Sequence, residues 1–114
     1  RHKLVIVVRG DLGMSPGKVA SQACHAALDA HRRAPDAVLG AWLEEGEPII
    51  VLSCGDERHL VRLQGEAARA GLTNGTIRDA GRTEVDPGTT TVLYVGPARA
   101  VEIDAVTGEL ALLA

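Results

Sequence analysis

Aromatic residues are almost missing from this 114-residue chain, which has no Phe, one Trp (Trp42) and one Tyr (Tyr94). Recognition of nucleic acid by base stacking relies on aromatic platforms, so the composition argues against it. Cysteine is scarce as well. Cys24 and Cys54 are too few for a disulfide scaffold, and both sit in apolar stretches, so buried reduced thiols are expected. No apolar run approaches the ~20 residues of a membrane-spanning helix, and the first run, Leu4–Val8, is too short for a signal peptide. These absences lead to the expectation of a soluble cytoplasmic protein. Positive charge is not in excess either. Twelve Lys and Arg face fifteen Asp and Glu, a net −3, so no general basic surface is indicated. A local anion patch is still open, because Arg9, Lys18 and Arg82 each fall beside polar motifs.

Several catalytic signatures are absent too. Gly10, Gly13 and Gly17 lack the G-x-G-x-x-G dinucleotide spacing, and Gly17-Lys18 is followed by Val19, which breaks a Walker loop. There is no G-x-S-x-G nucleophile elbow. Cys24, His25, His31 and Cys54 match no metal pattern, and neighbouring Cys24 and His25 point about 100° apart on a helix, so no metal site is expected.

What is present reads as one domain over residues 1–114, a size at which a single aliphatic core can form. Lys3–Val8 is a continuous run rich in β-branched residues, the pattern of a strand covered on both faces. Ser15-Pro16 supplies a helix N-cap and a proline at the first helical position, opening a helix to about Arg33. A second helix is expected over about Pro35 to Glu45, and a second strand over Pro48–Cys54. A third helix, capped by Asp56, should run to about Ala70 and end at Gly71. Leu72–Arg78 reads as a weak strand and Thr91–Val95 as a stronger one. Gly96-Pro97 should begin a short helix over Ala98–Val106, followed by an edge strand at Glu109–Leu113. This alternation predicts a single-domain α/β sandwich with a mainly parallel mixed sheet of four or five strands flanked by helices. Ligands of such sheets bind beyond the carboxyl ends of strands, where Arg9–Lys18 lies.

At 100° per residue, Val19, Ala20, Ala23, Cys24, Ala27 and Leu28 form an apolar stripe on the first helix, expected to face the sheet. Lys18, Gln22, His25 and Asp29 share a narrow opposite arc. An ordinary solvated face has the same neighbours. Yet Lys18 occupies the first turn, where the helix dipole disfavours a cation that has no anion nearby. The Gly13–Gly17 segment also offers backbone N–H groups as an anion seat. Ser21 and His25 could touch, but no orienting acid lies near them in sequence. The second polar cluster is Asp79-Ala80-Gly81-Arg82-Thr83 with Pro87-Gly88-Thr89-Thr90-Thr91. A turn needs the glycines and the proline but not this set of carboxylate, guanidinium and hydroxyls. The plain alternative is Asp79 capping a turn with Arg82 paired to it. The sharper reading is that Asp79, Thr83 and one of the three consecutive threonines hold a water. Lys18 alongside would keep Asp79 ionised and stabilise negative charge on a substrate oxygen.

The motifs together resemble the archaeal and eukaryotic class of peptidyl-tRNA hydrolase. The matching strings are Arg9-Gly10-Asp11-Leu12-Gly13-Met14, Gly17-Lys18-Val19-Ala20 with Gln22 and His25-Ala26, and Asp79-Ala80-Gly81-Arg82-Thr83. Pro87-Gly88, Thr91-Val92-Leu93, Gly96-Pro97, Asp104 and Val106-Thr107-Gly108 complete them in order along nearly the whole chain. The resemblance implies hydrolysis of the peptide–tRNA ester with peptidyl-tRNA as substrate, no cofactor and no covalent intermediate. It implies Lys18, Asp79, Thr83 and Thr91 as catalytic groups, and His25 as part of the motif. Substrate contacts would then fall to Arg9, Gln22, Gly81, Arg82 and Gly88, with Arg82 or Arg9 on a terminal phosphate. A homodimer is compatible with the expected edge strand Glu109–Leu113. A competing reading from another class is a non-catalytic module that binds tRNA or an anion at the same place.

Overall fold

The computed structural model describes residues 1–81 and 84–114. Arg82 and Thr83, two of the expected site residues, lie outside them. Among the described residues the elements are β1 (His2–Arg9), α1 (Pro16–Arg33), α2 (Asp36–Glu44), β2 (Ile49–Cys54), α3 (Glu57–Arg69), β3 (Asn74–Arg78), β4 (Thr90–Arg99) and α4 (Ala100–Thr107), with a 3-10 turn at Gly10–Leu12.

The sheet order is β2-β1-β4-β3. β1 pairs in parallel with β2, while β4 runs antiparallel to both β1 and β3. The sheet is therefore mixed, as expected, but only one of its three pairings is parallel. The sequence alternation overstated the parallel share because β3 passes into β4 without a helix between them, and such a connection can only produce antiparallel neighbours.

Two apolar layers sandwich the sheet. On one side Val5, Val7, Leu93 and Val95 pack against Leu60, Leu63 and Ala67 of α3 and Ile103 of α4. On the other, Leu4, Ile6, Val8, Val92 and Tyr94 pack against Ala26 and Ala30 of α1 and Trp42 of α2. Burial on both faces accounts for the unbroken apolar run of β1. Helix ends follow their caps. The Ser15 hydroxyl accepts from the Lys18 N–H at 3.3 Å, and the Asp56 carboxylate accepts from the His59 N–H at 2.9 Å.

Four other expectations are corrected. β4 does not stop at Val95 but continues through Gly96-Pro97 to Arg99, where His2 and Lys3 pair with Arg99 and Ala98. Gly96 permits this, because a Cβ there would meet the Lys3 carbonyl at 2.9 Å. The helix accordingly starts only at Ala100. The final segment forms no strand but an isolated bridge from Leu112 to Leu52, flanking the edge of β2. The buried stripe of α1 is rotated from the expected one: Gln22, Ala26 and Ala30 are buried, whereas Ala20, Cys24 and Leu28 are exposed. The apolar arc of α1 is wider than the surface the sheet can cover, and Gln22 finds a polar partner there. Of the two free thiols, only Cys54 is buried as expected.

Candidate active site

α1 and β3 run side by side, and between them lies a cleft of about 590 Å³. Lys18, Ser21, Gln22, His25, Asp29 and Arg32 line it from α1, and residues 76–80 line it from the end of β3. The helical contributors recur every three or four positions, the spacing of one helix face. Cβ positions alternate along β3, so Ile77, packed in the α1 layer, places Asp79 on the same side as itself.

At the head of the cleft the Lys18 ammonium donates directly to Asp79 Oδ1. Their side chains are only 9% and 3% exposed, so the pair is shielded from water. The other carboxylate oxygen accepts the Gly81 N–H. Lys18, more than any other group, and then the Gly81 N–H hold the Asp79 carboxyl below the usual carboxylate range, against the opposing effect of burial. Gly81 sits at φ 78°, and a Cβ would approach Pro87 Cα to 2.7 Å, so the Asp79 turn requires glycine there. The base of the loop is closed by the backbone: Asp79 N–H donates to Thr89 O and Gly88 N–H to Asp79 O, both at 2.8 Å.

Thr91 reaches the site by a defect in the ladder. Ile77 pairs with Val92 and Arg78 with Thr90, which leaves Thr91 as an extra, bulged residue of β4. Strict alternation would put Thr91 with Leu93 and Val95 on the α3 side. The bulge re-aims it to α1, as bulges beside active sites commonly do. Its fully buried hydroxyl lies within hydrogen-bond distance of the Gln22 carboxamide and of Ile77 O, the latter at 3.2 Å. One hydroxyl proton cannot serve two carbonyl oxygens. The network closes when the Gln22 amide presents its NH2 to Thr91 and Thr91 donates to Ile77.

Of the expected site residues, the fold gathers Lys18, Gln22, His25, Asp79, Gly81 and Thr91. His25 is exposed on the cleft wall, and Gly88 acts through the backbone of the loop base. Arg9 is not brought in. Its guanidinium is taken by both Asp11 carboxylate oxygens, at 3.1 and 2.7 Å, and by the Thr90 carbonyl at 3.1 Å. Pairing with Asp11 raises the Arg9 pKa and cancels the charge it would offer a phosphate. The expected anion seat at the start of α1 is filled from within the chain: Ser15 N–H and hydroxyl both donate to the Glu84 carboxylate, lowering its pKa. Ser21 and His25 both line the cleft, with no hydrogen bond between them among the described residues. The sequence reading missed Arg32, which one more turn along the Lys18–Asp29 arc would have found. It also missed the β3 contribution and Glu84, for which the sequence has no local signal. Among the described residues no three His, Cys, Asp or Glu side chains gather as metal ligands, and no helix is long and apolar enough to cross a membrane.

The family model described as Peptidyl-tRNA hydrolase PTH2 matches residues 2–113. A peptidyl-tRNA hydrolase of Methanopyrus kandleri is 51% identical over 98% of each chain. A second, from Halobacterium salinarum, is 46% identical over 96% of this chain and 98% of its own. The human protein named peptidyl-tRNA hydrolase 2, mitochondrial is 46% identical over 97% of this chain, which spans 64% of it. A solved structure of a protein of unknown function from Agrobacterium tumefaciens strain C58 shares the fold alone, at TM-score 0.64 and 11% identity over 99% of this chain and 98% of its own. The chain belongs to the peptidyl-tRNA hydrolase PTH2 family.

Proposed function

We propose that this chain hydrolyses the ester joining peptide to tRNA, and that it does so at the head of the α1–β3 cleft. The observation that carries the reading is the shielded Lys18–Asp79 pair beside a bulged, buried threonine. Asp79 has a free lone pair on each oxygen after accepting from Lys18 and Gly81, enough to orient a water. Because its pKa is held low, Asp79 is a weak base, and its task is to aim the water more than to strip it. The water oxygen bonds to the ester carbonyl carbon, and Lys18 stabilises the oxyanion that forms. As the tetrahedral species collapses, the bond to the ribose oxygen breaks. One proton of the water ends on that oxygen, which leaves as the tRNA hydroxyl, and the new carboxylic acid releases the other to solvent as the peptide departs as a carboxylate. Thr91 acts through Gln22, fixing the cleft wall next to the pair. Arg32, on the cleft wall 3.6 Å from Asp29, is the cation we assign to meet phosphate.

The test is cleavage of labelled N-acetylated aminoacyl-tRNA by the purified chain, with and without chelator. Turnover insensitive to chelator supports water activation without a metal, and retention of the ester would establish a binding module instead. Loss of one charge-stabilising donor typically costs ~10²–10³ in rate, so Lys18→Ala and Asp79→Asn should remove most turnover while folding persists. Near wild-type turnover by either variant defeats the assignment. A cytoplasmic location is part of this proposal, checked by cell fractionation. So is a homodimer through the exposed side chains of Ile49 and Leu112 beside β2, checked by sedimentation.

A further inference from the structure

Every peptide esterified to tRNA presents the same main chain, which a binding mode that reads only the backbone would recognise. β3 offers one. It is the outer strand of the sheet, with β4 as its one neighbour. Thr73 O accepts from Gly96 N–H, and Asp79 exchanges backbone bonds with Gly88 and Thr89, so both residues direct their polar backbone groups toward the loop and β4. Antiparallel pairing alternates these inward positions with outward ones. Gly75 and Ile77 then face β4, while the N–H and C=O groups of Thr76 and Arg78 face away from it. Thr76 and Arg78 both line the cleft, and α1 overhangs them with Ser21 and His25. Among the described residues neither has another backbone hydrogen-bond partner.

Resting on the reading of Lys18 and Asp79 as the ester-cleaving pair, we infer that the peptide of the substrate adds to β3 as a fifth strand. Its main chain bonds to the outward groups of Thr76 and Arg78. The ester must reach Asp79, at the carboxyl end of β3, so the peptide runs parallel to β3 with its amino end toward Asn74. Strand addition gives affinity through main-chain bonds and leaves side chains almost unread. One residue reaches only Arg78, and longer peptides also reach Thr76.

The experiment compares N-acetylated aminoacyl-tRNA with N-acetylated tetrapeptidyl-tRNA, the latter unmodified or with a single N-methyl group at each amide in turn. KM should be lower for the tetrapeptidyl substrate. N-methylation should raise KM at alternate amides only, by about 3- to 10-fold, the loss of one backbone hydrogen bond. Thr76→Pro removes an outward donor, and an edge strand tolerates proline with its ring side toward solvent. This variant should erase the KM difference between the two substrates, with thermal melting as the check on folding. Cleavage of both substrates with a flat scan, or with equal loss at every amide, overturns strand addition alone. So does a KM that depends steeply on salt but not on peptide length, which would assign the groove to tRNA phosphates. If neither substrate is cleaved, the ester-cleaving reading falls and this one with it.

Discussion

Lys18 and Asp79 stand 61 positions apart, yet the ammonium of one donates directly to the carboxylate of the other inside a shielded cleft. Lys18 is the largest influence that lowers the Asp79 pKa, so Lys18→Gln should raise it. The ordinary value is 3.8, and the wild-type carboxyl titrates below that. A carboxyl with a depressed folded pKa contributes stability above its unfolded pKa and loses that contribution as pH falls through the folded value. The wild-type contribution is therefore whole above about pH 5 and disappears in more acidic solution. Carbon-13 titration of the Asp79 carboxyl in both proteins checks this. An unchanged midpoint in Lys18→Gln would show that the pair does not form in solution.

The Thr91 bulge makes a second prediction. Thr91→Val keeps the side-chain shape and removes the hydroxyl, which strands the buried Gln22 amide. Leaving one buried polar group unpaired costs roughly 1–3 kcal/mol, measurable by urea denaturation. Thr91→Ser should be close to wild type. In the double variant with Gln22→Leu the losses should sum to less than the two single losses, because the stranded partner is gone as well. Strict additivity would mean that the two side chains do not interact.

The turn after Asp79 is equally exacting. Gly81→Ala forces a Cβ toward Pro87 at a positive φ, a conformation costing an L-residue roughly 1–2 kcal/mol. It also displaces the N–H that steadies Asp79. Small misplacements at a reacting centre can cost ~10² in rate, so kcat should fall far more than Tm. Steady-state kinetics beside a melting curve separates the two effects. A variant with wild-type kcat would show that the glycine matters only for folding.

Local signals made much of the fold readable. The Ser15 and Asp56 caps, the β-branched run of β1 and Gly71 place helices and strands because each acts over a few residues. Pairing direction is only partly local. The short link from Leu72–Arg78 to Thr91 already requires β3 and β4 to be antiparallel, but nothing near either strand states that β4 will also lie antiparallel to β1. The site divides in the same way. The arc of Lys18, Gln22, His25 and Asp29 follows from helix geometry, and the polar string from Asp79 stands out by composition. Thr91 illustrates the opposite limit, since its orientation depends on one residue of slippage between two strands. Arg9 meets the same limit, since sequence shows a cation beside polar residues but not that Asp11 pairs with it.

The contact of Glu84 with Ser15 links the loop after Asp79 to the start of α1, the turn that carries Lys18. Ser15 caps α1, and losing an N-cap hydroxyl typically costs about 1 kcal/mol. Ser15→Ala should therefore lower Tm by roughly 3–5 °C in a domain of this size. It should also weaken activity by releasing the loop. Glu84→Ala leaves the cap intact, so it should barely move Tm while lowering kcat, because Asp79 loses a restraint on the loop that positions it. Glu84→Asp is too short to reach both Ser15 donors and should resemble Glu84→Ala in kcat. Parallel melting and kinetic measurements on the three variants distinguish a cap from a latch. If Glu84→Ala melts like Ser15→Ala and turns over like wild type, the contact supports the helix and has no part in holding the loop.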